Sequence, residues 1–82
     1  MGGKRLVAGA TEHNIGGAGA GAAVTATVQP PSGVNMAQAT VNVTTAGGGN
    51  TNAQLQFPGQ PRRFTAVTSF NNVGPADVLI TW

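Results

Sequence analysis

The sequence predicts an all-β fold, a small antiparallel β-sandwich or jelly-roll-like barrel of about five to six strands. Three observations carry this. Apolar residues alternate with Thr, Asn and Gln at period two in run after run. Clusters of Pro and Gly separate the runs. No window places apolar residues at the spacings of three and four that a helix requires.

The elements follow in order. "AAVTATV" sets Ala22, Val24, Ala26 and Val28 on one face against Ala23, Thr25 and Thr27. "QPPSG" (29–33) then removes two backbone donors and adds a turn glycine. "ATVNVTT" opposes Ala39, Val41 and Val43 to Thr40, Asn42 and Thr44, and "AGGGN" (46–50) forms a hairpin tip. "AQLQF" offers Ala53, Leu55 and Phe57 against Gln54 and Gln56, and "PGQP" (58–61) is a turn. "RFTAVTSF" places Phe64, Ala66, Thr68 and Phe70 on one side, and "NNVGP" (71–75) reads as the turn that closes it. "DVLITW" alternates Val78, Ile80 and Trp82 with Asp77, Leu79 and Thr81. One apolar and one polar face per strand marks an antiparallel sheet solvated on one side. "KRLVA" (4–8) offers a sixth strand. The organisation expected is a flexible Gly/Ala-rich arm over 1–21 and an antiparallel β domain over 22–82.

Composition bounds the chemistry. The chain has 82 residues, no Cys, one His and only 7% charged residues, where an ordinary soluble domain carries about 25%. So few large apolar residues make a thin core, and small domains without disulfides or metals gain stability by associating. A neutral surface suits that, because each charge buried between copies needs a partner. The expected partners are further copies of the chain, in a homo-oligomer such as a trimer, and a larger protein surface. No apolar stretch approaches the roughly 20 residues of a membrane helix. The N-terminal run "LVAGA" is too short for a signal-peptide core, so synthesis in the cytoplasm is expected.

The chemical motifs are weak. Gly17 to Ala22 fits G-x-G-x-x-A, but a dinucleotide loop needs a strand before it and a helix after it, and a strand pattern follows here. No Lys-Ser or Lys-Thr follows the glycines, which excludes a P-loop. Ser32 or Ser69 with His13 and Asp77 makes a triad only on paper, since His13 lies in a glycine-flanked segment and a general base needs a rigid surround. Too few ligands exist for a metal site. Asn42-Val43-Thr44 matches a glycosylation sequon inside a strand pattern, a coincidence in a chain without a secretion signal. Neither an enzyme nor a cofactor is expected.

Lys4-Arg5 and Arg62-Arg63 hold all the formal positive charge, and Glu12 and Asp77 all the negative. Four cations with no aromatic stripe are a poor nucleic-acid footprint. Their alternatives are a clamp on acidic protein groups, plain solvated charge, or charges that blunt an edge strand. A C-terminal aromatic is shared with outer-membrane barrels, but eight strands of 9 to 11 residues would exceed this chain. Trp82 therefore reads as a core or interface anchor. Lys4, Arg5, Arg62, Arg63 and Trp82 are the candidate partner-binding residues.

From "GGAGAGAAVTATV" through "ADVLITW", the chain resembles small virion proteins of tailed bacteriophages and is most similar in style to capsid decoration, or cement, proteins. The resemblance lies in the pattern of the whole chain, so it transfers no functional residue. It implies a non-enzymatic protein present in many copies on the virion, often as trimers, that docks on the major capsid protein or another virion protein and stabilises the lattice. The alternative is a carbohydrate- or receptor-binding β module of a phage fibre or spike.

Overall fold

The computed structural model of the protein describes residues 2–17 and 20–82. The described residues are all-β, with seven strands: β1 (Gly3–Leu6), β2 (Thr11–Glu12), β3 (Ala22–Gln29), β4 (Ala37–Thr45), β5 (Asn50–Phe57), β6 (Arg62–Pro75) and β7 (Asp77–Thr81). Every pairing is antiparallel. The strand order is β1-β7-β3-β6-β4-β5, with β2 added alongside β6. The sheet does not close, so the barrel alternative does not apply.

The long strand β6 gives the sheet its shape. Residues Arg62 to Val67 pair with β3, whereas Val67 to Pro75 pair with β4. Both ladders slip register beside Val67, and Ala66 takes φ +54°. An extra residue in one strand bends it and increases its twist. Two wings result, one of β1, β7, β3 and the start of β6, the other of the end of β6 with β4 and β5. They face each other, with β3 packed against β4 and β5.

The core lies between the wings. Val24, Ala26 and Val28 of β3 meet Ala39, Val41 and Val43 of β4, Ala53 and Leu55 of β5, and Val78 and Ile80 of β7 around Phe70. These are the inward positions expected from the alternation. β-Branched side chains suit the pleated surface, and each fully buried Val or Ile contributes about 1.5–3 kcal/mol.

Three expectations are corrected. The described part of residues 1–21 is built into the sheet and is not a separate arm. β1 pairs with β7, β2 pairs with β6, and Leu6 and Ile15 are each 1% exposed in the core. Without β1, β7 would present an open row of backbone donors and acceptors. Leu6 and Ile15 also add bulk that a thin core lacks. The glycines allow tight packing of backbone on backbone: a Cβ on Gly21, whose φ is +75°, would lie 2.5 Å from the carbonyl carbon of Ala66. Ala18 and Gly19 lie outside the described residues.

The second correction concerns the inward face of β6. Its buried residues are Val67, Phe70, Asn72 and Gly74, while Ala66 is exposed. Each slip adds one residue to β6, so the inward place moves from Ala66 to Val67 and then returns to Phe70, and Phe64 and Phe70 meet the core as the alternation expects.

Third, "NNVGP" is not a hairpin turn. β6 runs through it to Pro75, and after Ala76 alone the chain enters β7, which lies in the other wing. A second bulge sits here, with Thr40 opposite Gly74 and Val41 opposite Asn72. Asn72 is fully buried and holds the corner together. Its side-chain amide donates to the carbonyls of Leu6 (2.8 Å) and Ala76 (2.9 Å), and its Oδ1 accepts from the Gly74 N–H (2.8 Å). Three buried backbone groups, one on β1 and two at the β6–β7 corner, are thereby satisfied. Gly74 has φ +94°, and a Cβ there would sit 2.7 Å from that of Ala8.

Candidate docking face

The sheet sorts the four cations into two kinds. Lys4 and Arg5 lie on the edge strand β1. Lys4 Nζ is 3.1 Å from Glu12 Oε1 on β2, and Arg5 Nε donates to Asp77 Oδ2 on β7 at 2.9 Å. Arg5 faces Leu79 directly, so Asp77 is its diagonal neighbour two residues along β7. Both pairs are solvent-exposed enough to contribute only about 0.2–1 kcal/mol each. Their larger consequence is for charge. The chain has two acids, and both are engaged. The formal net charge of +2 is therefore carried by Arg62 and Arg63.

These two arginines are consecutive at the start of β6, so they leave opposite faces of the sheet. The Arg62 guanidinium carbon lies 5.5 Å from the centroid of the Phe64 ring. Phe64 meets the buried ring of Phe70 edge-on, at 5.8 Å and 74°. The cation on the aromatic face, worth about 0.5–1 kcal/mol at an exposed site, thus rests on a ring anchored in the core.

Arg63 has a different setting. It stands in a cross-strand row with Thr25 of β3, which in turn faces Thr81 of β7 and through it Gly3 of β1. Beside this row is a shallow concavity of about 430 Å³, lined by Arg63, Thr25, Thr81, Ala23, Gly2 and Trp82. Trp82 is half-buried, packed against the core on one side and bordering the concavity on the other. Its position is fixed by two backbone bonds, Gly2 N–H to Trp82 O at 2.6 Å and Trp82 N–H to Gly2 O at 2.8 Å, which extend the β1–β7 ladder by one pair.

Of the five candidate binding residues, the structure brings Arg63 and Trp82 together and sets Arg62 on the strand beside them. It turns Lys4 and Arg5 to internal acids. Sequence reading missed Thr25 and Thr81, although their outward place in the alternation was visible. What it lacked was the register that aligns them with Arg63.

The weak motifs have structural places as well. Gly17 to Ala22 leads into β3, and no helix follows. Asp77 is bound by Arg5 and Glu12 by Lys4, while Ser69 lies opposite Thr44 in the β4–β6 ladder. Asn42 of the sequon donates to Asn52 Oδ1 at 2.9 Å. Among the described residues, no group of three or more His, Asp or Glu side chains converges on a metal-sized site. Nor is there a helix long and apolar enough to cross a membrane.

Comparison with protein-family models, with curated proteins and with solved structures finds no match to this chain.

Proposed function

We propose that the protein is a non-enzymatic structural subunit of a virion, a small decoration protein that docks on capsid protein through the Arg62–Arg63 end of its first wing. The observation that carries this reading is the distribution of charge. Two internal ion pairs consume both acids and leave the formal positive charge at two adjacent arginines, next to Trp82, in a chain with no other charged side chains. Arginine presents a planar fork that binds carboxylates in pairs, and Arg with Trp is the side-chain combination most enriched where binding energy concentrates. Many copies on one lattice make a modest contact at each arginine pair sufficient.

The test is sedimentation. Particles purified on a density gradient from cells that produce the protein should carry it in many copies. Recovery of the protein only at the top of the gradient would overturn the proposal.

One observation favours a second reading, a carbohydrate- or receptor-binding module. The indole of Trp82 borders a concavity that also presents Arg63 and two threonines, and sugar sites combine an aromatic platform with polar groups. Titration of tryptophan fluorescence with an oligosaccharide panel separates the two readings. Saturable quenching supports the sugar site, and a flat response supports protein docking.

A further inference from the structure

The two terminal strands of the sheet are guarded very differently. β1 is four residues long and carries Lys4 and Arg5, the short charged edge that discourages pairing with another sheet. β5 is eight residues long and pairs on one side only, with β4. Asn50 to Phe57 contains no charge, no proline and no bulge against β4, whose register with it is unbroken from Ala37–Phe57 to Thr44–Asn50. Its free backbone groups form a ready template for one more strand.

The side chains of β5 are complementary to themselves. On its outer face stand Asn50, Asn52, Gln54 and Gln56, all exposed. Each amide both donates and accepts, so it can pair with a copy of itself, which a cation or carboxylate cannot. Ala53 and Leu55 point inward. In an antiparallel pairing about a two-fold axis at Gln54, Asn52 falls opposite Gln56 and Ala53 opposite Leu55, amide on amide and apolar on apolar. The same register sets Thr51 of the partner subunit against Phe57. At that end an apolar hollow of about 410 Å³ is lined by Met36, Phe57 and Pro58, and Met36 is 74% exposed. A second copy would cover it.

We infer that β5 is a self-association edge, along which two copies of this chain pair antiparallel and continue the sheet across a two-fold axis. This goes beyond the docking role and is separable from it, because β5 is the terminal strand of the second wing, whereas the arginines lie on the part of β6 that pairs with β3 in the first.

The experiment uses the purified full chain alone. Sedimentation equilibrium should show a monomer–dimer equilibrium for the wild type. N52K with Q54K sets like charges directly opposite each other at position 54 and diagonally at position 52, and should weaken the dimer by at least about tenfold, as should N52E with Q54E. Both variants should keep the wild-type circular dichroism spectrum, since these side chains are solvent-exposed. Mixed in equal amounts, the lysine and glutamate variants should recover a dimer, because position 54 then sets lysine against glutamate and each charge at position 52 meets the opposite sign on the diagonal. A wild type that stays monomeric at its solubility limit overturns the inference. So does a dimer that both doubly charged variants leave intact, or a mixture that fails to associate.

Discussion

The backbones of Gly21 and Ala66 touch. A methyl group on Gly21 would approach the Ala66 carbonyl carbon to 2.5 Å and its oxygen to 2.6 Å, and both residues have positive φ. This contact sits where β6 leaves β3 for β4. It ties the glycine-rich segment to the bend that makes two wings from one sheet. G21A should therefore lower stability by about 2–4 kcal/mol, combining backbone strain with overlap that no side chain can relieve. For a domain of this size that is a fall in Tm of about 10 °C or more. G17A is the control: its φ is also positive, but its added methyl meets nothing within 4 Å. It should cost about 1 kcal/mol. Thermal unfolding followed by circular dichroism checks both.

Asn72 offers a sharper test of the corner between β6 and β7. N72A removes both carbonyl partners and the acceptor for the Gly74 N–H in a fully buried setting. The expected loss is about 3 kcal/mol, since each orphaned buried group costs about 1–3 kcal/mol. N71A removes a part-buried side chain that donates to Thr11 Oγ1 at 2.6 Å. It should cost no more than about 1 kcal/mol. Urea denaturation midpoints separate the two.

Leu6 reports whether the N-terminal strand belongs to the folded body. It is 1% exposed and sits in the main core cluster. L6A should cost about 2–4 kcal/mol. That is a large part of the total for 82 residues, which general scaling puts at about 4–12 kcal/mol. Hydrogen exchange read by mass spectrometry should also find residues 3–6 protected. Exchange there at the rate of an unstructured peptide would restore the arm.

The ion pairs at β1 should matter little to stability. K4M or R5M should change it by less than about 1 kcal/mol, and the change should shrink with added salt. Urea titrations at low and high ionic strength measure this directly.

Much of this fold was readable from alternation alone. β3, β4, β5 and β7 bury most of the residues their period-two patterns nominate, because a strand with one wet face must alternate; Phe57, the last residue of β5, is the exception and is exposed. The pattern failed where the backbone is irregular. In β6, the slips on either side of Val67 put it inward in place of Ala66 and Thr68, while Phe64 and Phe70 keep the expected face, and nothing in "RFTAVTSF" marks Ala66 as the residue with positive φ. "NNVGP" has the composition of a turn, yet Asn72 satisfies the backbone groups of a bulge and the strand continues. The glycines before Gly21 suggested freedom of movement, whereas Gly21 serves close approach. The roles of the cations were hidden for another reason. Lys4 meets Glu12, and Arg5 meets Asp77 across 72 positions of sequence, through a sheet register that composition does not contain.

The most direct measurement compares two charge-matched variants for binding to gradient-purified particles stripped of the protein. R62A with R63A and K4A with R5A each remove two positive charges. The first should abolish co-sedimentation while leaving the circular dichroism spectrum unchanged and lowering Tm by no more than about 8 °C, the loss of the Arg62–Phe64 contact. The second should bind as the wild type does, because Lys4 and Arg5 are committed to acids of their own chain. Equal loss in both variants, or loss confined to K4A with R5A, would contradict docking through Arg62 and Arg63.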